Sequence, residues 1–190
     1  MSTAKPIQLL VLEEFRLRAE DFDGAVAQMV AASPHGIEPA IPLLTSIEDR
    51  RDVAMLRAVH AGEPTEADAA QHAALDPLVS SWAVPKLYGP RITAQSKSPP
   101  SSFRLAVTES GINDAGVAPV TLGDGAVADE TTSRAVGMVW IGAPVGTHAG
   151  LLVLLGSYEE DPPGARDQPS GWPLPLSRDL GVRIYENSRV

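Results

Sequence analysis

The 190-residue chain has no cysteine. Disulfides, thiolate metal centres and thiol nucleophiles are therefore excluded together. Basic residues are short as well: 15 Lys and Arg stand against 24 Asp and Glu, a formal charge of −9. No Lys/Arg cluster offsets that balance, so a phosphate backbone is repelled and nucleic-acid binding is not expected. No run approaches the roughly 20 apolar residues of a membrane helix. The stretch from Ile7 to Leu12 is too short for a secretion-signal core and meets Glu13 and Glu14 at once. A cytoplasmic location is the expectation. Phosphate cradles and nucleophile elbows are also missing. Gly123-Asp124-Gly125 has no basic neighbour, and no P-loop or Gly-x-Ser-x-Gly pattern occurs. The four histidines lack metal-ligand spacing. No metal, flavin or nicotinamide cofactor is expected.

What is present is an ordinary globular composition, 44% hydrophobic, on a chain long enough for one large domain or two small ones. Ile7 to Leu17 is apolar and then partly alternating, and reads as a first strand. Phe22, Val26, Met29 and Val30 recur at helical spacing, which predicts a helix over 21–32, ended by Ser33-Pro34-His35-Gly36. Ile37 to Ser46 reads as an edge or irregular strand because of Pro39 and Pro42. Ile47 to Asp52 is a charged turn, and Val53 to Val59 completes a hairpin. Thr65-Glu66-Ala67-Asp68 resembles a capping box and opens a helix that runs to Leu75. Asp76-Pro77 predicts a further short helix to Trp82, and Val84 to Ala94 a fourth strand.

Residues 95–102 form a polar, proline-bearing linker between a domain at 1–94 and a β-rich region at 103–190. In the latter, Phe103–Glu109, Ala135–Ala143, Leu151–Glu159 and Val182–Glu186 read as strands, with long loops at 111–133 and 161–178. No repeat of the first half is evident in the second.

The order strand, helix, hairpin, helix, strand is that of a ferredoxin-like α+β plait (βαββαβ) with a β-rich extension. The first half also resembles the antibiotic biosynthesis monooxygenase family, whose members form dimeric α+β barrels. The resemblance rests on Leu9 to Leu17 leading into a helix with Phe22, and on His35-Gly36 before strand two. Ser46-Ile47-Glu48-Asp49 at the hairpin turn, Ala58-Val59-His60 ending strand three, and Ala70-Gln71-His72 on the next helix complete it. His60 stands where family members often carry Trp, and His72 is kept. The resemblance implies a homodimer and a cofactor-independent oxygenase or cyclase acting on an apolar, polyketide-like substrate. A non-catalytic binding or accessory protein, and a structural dimer whose loops meet a partner, are the alternatives.

Among single residues, His72 is the candidate general base or polar anchor, and a half-exposed helix histidine is its bland alternative. His60 at a strand end is placed near a pocket mouth. Arg57, three residues earlier, falls on the opposite sheet face, where it meets an anionic substrate or a surface carboxylate. Trp82 and Tyr88 are read as an aromatic wall or as core. Together these residues place a pocket between the first-half sheet and its helices. Trp140 and Tyr158 read first as core, Trp172 as a loop aromatic, and His35 as solvated.

Overall fold

The first strand has two usable faces, since successive side chains on a strand point opposite ways. Leu10, Leu12 and Glu14 share one face, Val11, Glu13, Phe15 and Leu17 the other, and all seven are buried. A strand buried on both sides must sit inside a layered or closed sheet, and the computed structural model shows a closed one. It describes residues 6–32, 43–62, 69–95, 100, 102–108, 127–128, 135–147, 150–157 and 182–188. The described elements are β1 (Ile7–Leu17), α1 (Phe22–Ala32), β2 (Leu44–Ser46), β3 (Asp52–His60), α2 (Ala69–Leu75), β4 (Val79–Trp82) and β5 (Lys86–Gln95). They continue with β6 (Ser102–Thr108), β7 (Val127–Ala128), β8 (Ala135–Val145), β9 (Leu152–Ser157) and β10 (Val182–Ser188).

Eight strands close into an antiparallel barrel in the order β1-β3-β2-β10-β6-β9-β8-β5 and back to β1. Along the β1 edge away from β3, β5 pairs at Leu10–Leu12, and β4 continues at Phe15–Leu17. β7 pairs with the start of β8, off the ring. A bulge between Ile7 and Leu9 turns Ile7 back to the inside, where it packs on the inner core.

This corrects the expected fold. The chain is not a ferredoxin-like α+β plait with an appended extension. Strands of both halves make one barrel, and the two described helices pack on its outside. The reason is the sheet edges. In a free-standing first half, β2 and β5 would each leave a row of backbone groups unpaired. Here β10 covers β2 and β8 covers β5. The open sheet face on which the homodimer expectation rested is thereby taken up by the chain's own second half.

The short helix expected after Asp76-Pro77 is also corrected, because Val79–Trp82 is strand β4. The end of β1 needs a partner there, and Arg18 N–H donates to Leu78 O while Ala83 N–H donates to Glu14 O. The four strands expected in the second half lie where the sequence placed them, within two residues at each described end, and the two-residue β7 falls within the expected loop at 111–133. Thr65 and most of the expected second strand lie outside the described residues.

The halves share one connectivity. β1 lies between β3 and β5 with β2 beyond β3, and β6 lies between β9 and β10 with β8 beyond β9. Each half lends its outer strands to the other, β2 to β10 and β5 to β8.

Two apolar cores follow from the alternation. The barrel interior holds Leu10, Leu12, Leu56, Tyr88, Phe103, Leu105, Trp140, Leu154 and Tyr185 among others. The layer under the helices holds Phe15, Leu17, Ala25, Met29, Met55, Leu75 and Val79, with Phe22, Val26 and Trp82 packed against it. Each fully buried Leu or Phe side chain contributes roughly 1.5–3 kcal/mol. Gly142 is required inside, since a Cβ there would lie 2.7 Å from Tyr88 Cβ. Among the described residues no helix is long and apolar enough to cross a membrane.

Candidate functional site

The outer face of β1 carries a carboxylate where an apolar residue would be expected. Glu13 lies between Val11 and Phe15 and is only 4% exposed. Above it passes α2. Leu75 anchors that helix in the outer core, and His72, one turn earlier, shares the Leu75 face and so points at the sheet. His72 Nε2 lies 3.1 Å from Glu13 Oε1. The distance is that of an ion pair, but the ring N–H is not aimed at the oxygen. Neither His72 Nε2 nor the buried Glu13 Oε2 has a hydrogen-bond partner among the described residues.

Trp82 closes the group. The register sets it beside Phe15, with ring centroids 4.7 Å apart and planes at 44°. Its other neighbour is the His72 imidazole, stacked at 4.7 Å and 15°. Trp82 Nε1–H donates to Asp76 Oδ1 at 3.0 Å, which fixes the indole's rotation. The assembly is a carboxylate and an imidazole side by side, with the indole stacked on the imidazole.

One residue further along, Glu14 points into the barrel. It accepts from Lys86 Nζ at 2.6 Å, from Arg183 Nη1 at 3.2 Å and from the Tyr185 hydroxyl. Burial acts to raise its pKa, but the Lys86 and Tyr185 hydrogen bonds and the charges of Lys86 and Arg183 outweigh it, and the net shift is downward. Burial, then the Glu14 charge, pushes the Tyr185 and Tyr88 phenols well above the ordinary tyrosine value. At the barrel rim, Arg16 pairs with Asp49 at 2.5 Å and also with Asp52, while Arg51 pairs with Asp49 at 3.1 Å. The Arg51 and Arg16 hydrogen bonds hold the Asp49 carboxyl far below its usual range.

Of the candidates read from sequence, His72 and Trp82 are brought together. Tyr88 is not with them: it lies inside the barrel, on the other sheet face. His60 is at the far end of β3, paired with Ile7. Arg57 is on the outer face of β3 opposite Val11, away from the His60 face as the alternation required. Trp140 is core. His35, Tyr158 and Trp172 lie outside the described residues. Sequence reasoning passed over Glu13, Glu14, Lys86, Arg183 and Tyr185. The available signal was Glu13-Glu14 inside an otherwise apolar strand, which puts one carboxylate on each buried face. Among the described residues no group of three His, Cys, Asp or Glu converges as a metal site.

No family model and no curated protein matches the chain. Two solved structures share its fold. One, from Lactobacillus acidophilus, is described as a candidate monooxygenase. It is 10% identical with a TM-score of 0.52, over 95% of this chain and 93% of its own. The other, from Fusobacterium nucleatum and also described as a candidate monooxygenase, is 9% identical with a TM-score of 0.55, over 95% of this chain and 91% of its own. The likeness is one of fold. It spans both halves, where the sequence resemblance reached only the first.

Proposed function

We propose that this chain is an oxygenase-type enzyme whose reactive site is the Glu13–His72–Trp82 group beneath α2. Its substrate on this reading is a flat, largely apolar molecule carrying a hydroxyl. The observation that carries it is the adjacent pair of polar atoms, Glu13 Oε2 and His72 Nε2, each without a hydrogen-bond partner among the described residues. A buried polar atom left in that state costs about 1–3 kcal/mol. A substrate hydroxyl between them would satisfy both.

In this reading the hydroxyl donates to Glu13 Oε2, which takes its proton, and His72 Nε2–H donates to the phenolate oxygen that forms. Trp82 and Phe15 hold the flat ring system. A phenolate is electron-rich and reacts with dioxygen without an added cofactor. A ring methylene becomes a carbonyl: both C–H bonds break, one oxygen atom becomes the carbonyl oxygen and the other leaves as water with the two hydrogens. The fold likeness to two candidate monooxygenases favours this over ring closure, which the same base would also serve.

The test is oxygen-electrode uptake with tricyclic phenols of the anthrone type. One dioxygen consumed per ketone formed is expected, falling about 100-fold in Glu13→Gln. Product formed without oxygen uptake would show a cyclase instead. No turnover of any such phenol would remove the reading.

A further inference from the structure

The shared connectivity of the two halves extends to side chains. In the first half Leu10 pairs with Tyr88 and Leu12 with Lys86. In the second Leu105 pairs with Tyr185 and Val107 with Arg183. The neighbouring strand agrees: Leu10 and Leu12 face Ala58 and Leu56, as Leu105 and Val107 face Leu154 and Leu152. Lys86-Leu87-Tyr88 and Arg183-Ile184-Tyr185 thus occupy equivalent positions, each presenting a cation and a phenol to the barrel interior.

We infer that the chain is a tandem repeat of one strand unit, and that its halves exchange between copies to give a dimer of two barrels. In that dimer, β1–β5 of one copy closes with β6–β10 of the other. Three observations carry this. Each half pairs its own four barrel strands without help from the other. The only covalent link between the halves is the segment from β5 to β6. Every other tie across them is non-covalent: among the described residues β2 meets β10 at Tyr185↔Ser46 and Glu186↔Thr45, with Ile47 N–H donating to Ile184 O, and β5 meets β8 at eight pairs.

All the inter-half contacts of the closed chain, including those of Glu14 with Tyr185 and Arg183, recur unchanged in an exchanged dimer. The two forms then differ mainly in chain entropy, so concentration decides between them. For a short connection the effective concentration of one half about the other is on the order of millimolar. Exchange is expected when the protein refolds at or above that concentration, and closed monomer far below it.

A cysteine-free chain makes the test clean. Leu87 and Val145 pair across the β5–β8 seam, and Leu87→Cys with Val145→Cys places one thiol on each half. After refolding at millimolar concentration and oxidation, non-reducing electrophoresis should show a covalent species at twice the 20.0 kDa chain mass. Refolding at micromolar concentration should leave the disulfide within one chain. In parallel, two wild-type versions differing in tag mass are refolded together, and native mass spectrometry should find the mixed dimer. This second arm stands if the thiols fail to oxidise. Intrachain disulfide alone at both concentrations, or no mixed dimer at millimolar, overturns the inference.

Discussion

Glu14 on β1 and Tyr185 on β10 come from opposite halves of the chain and meet, carboxylate to hydroxyl, inside the barrel. The contact ties the halves together beside the β2–β10 seam, where Tyr185 pairs with Ser46. Lys86 and Arg183 reach the same carboxylate but keep solvent access. Glu14→Gln is expected to lower stability by about 1–3 kcal/mol and Tyr185→Phe by about 1 kcal/mol. Since the two residues touch, the double variant should lose less than the sum of the single losses. Urea denaturation of the four proteins checks this, and strict additivity would show that the contact contributes nothing.

The same cluster sets a response to pH. The folded-state pKa of Glu14 is depressed. Its stability contribution is therefore present above the ordinary carboxylate value, about 4.3, and is lost as pH falls through the folded one. Tyr88 and Tyr185 are raised, so the fold keeps two protons that the unfolded chain releases. Stability should fall as pH rises above about 10, by about 1.4 kcal/mol per pH unit for each proton held. In an ultraviolet titration, two of the three tyrosines should stay protonated through that range and ionise only with unfolding. Normal ionisation of all three in the folded protein would contradict the buried placement.

Gly142 tests the inner packing. An added methyl would meet Tyr88 Cβ at 2.7 Å and Leu10 Cδ1 at 3.3 Å, and Tyr88 Cβ, bonded directly to the backbone, cannot swing aside. Gly142→Ala should cost about 1–3 kcal/mol through overpacking. A thermal melt unchanged from wild type would mean that Tyr88 does not lie over this position.

The elements of this fold were largely legible, and their closure was not. Leu10, Leu12 and Val53 to Val59 announce strands by alternation, and Phe22, Val26 and Met29 announce α1 by period. Nothing local says that β10 pairs β2, because that contact joins Tyr185 to Ser46. The repeat is hidden because, beyond apolar positions that any strand could share, it survives as a basic residue, Leu or Ile, and Tyr at 86–88 and 183–185. Asp76-Pro77 carried a helix-start signal, but the free edge of β1 near Phe15 overrode it. At the site, His72 and Trp82 were visible as rare residue types. Glu13 was hidden among carboxylates, because its burial depends on α2 lying over it. Tyr88 follows Trp82 closely in sequence, yet the barrel wall separates the two.

That separation gives the most direct measurement of the proposed function. His72 lies outside the barrel wall against Glu13 and Trp82, and Tyr88 lies inside it. Oxygen uptake with an anthrone-type phenol is measured for His72→Ala and Tyr88→Phe, each with a thermal melt. The expected result is a loss of about 100-fold in His72→Ala with an unchanged melt, and turnover close to wild type in Tyr88→Phe. Retained turnover in His72→Ala together with its loss in Tyr88→Phe would contradict the outer site and move the chemistry into the barrel.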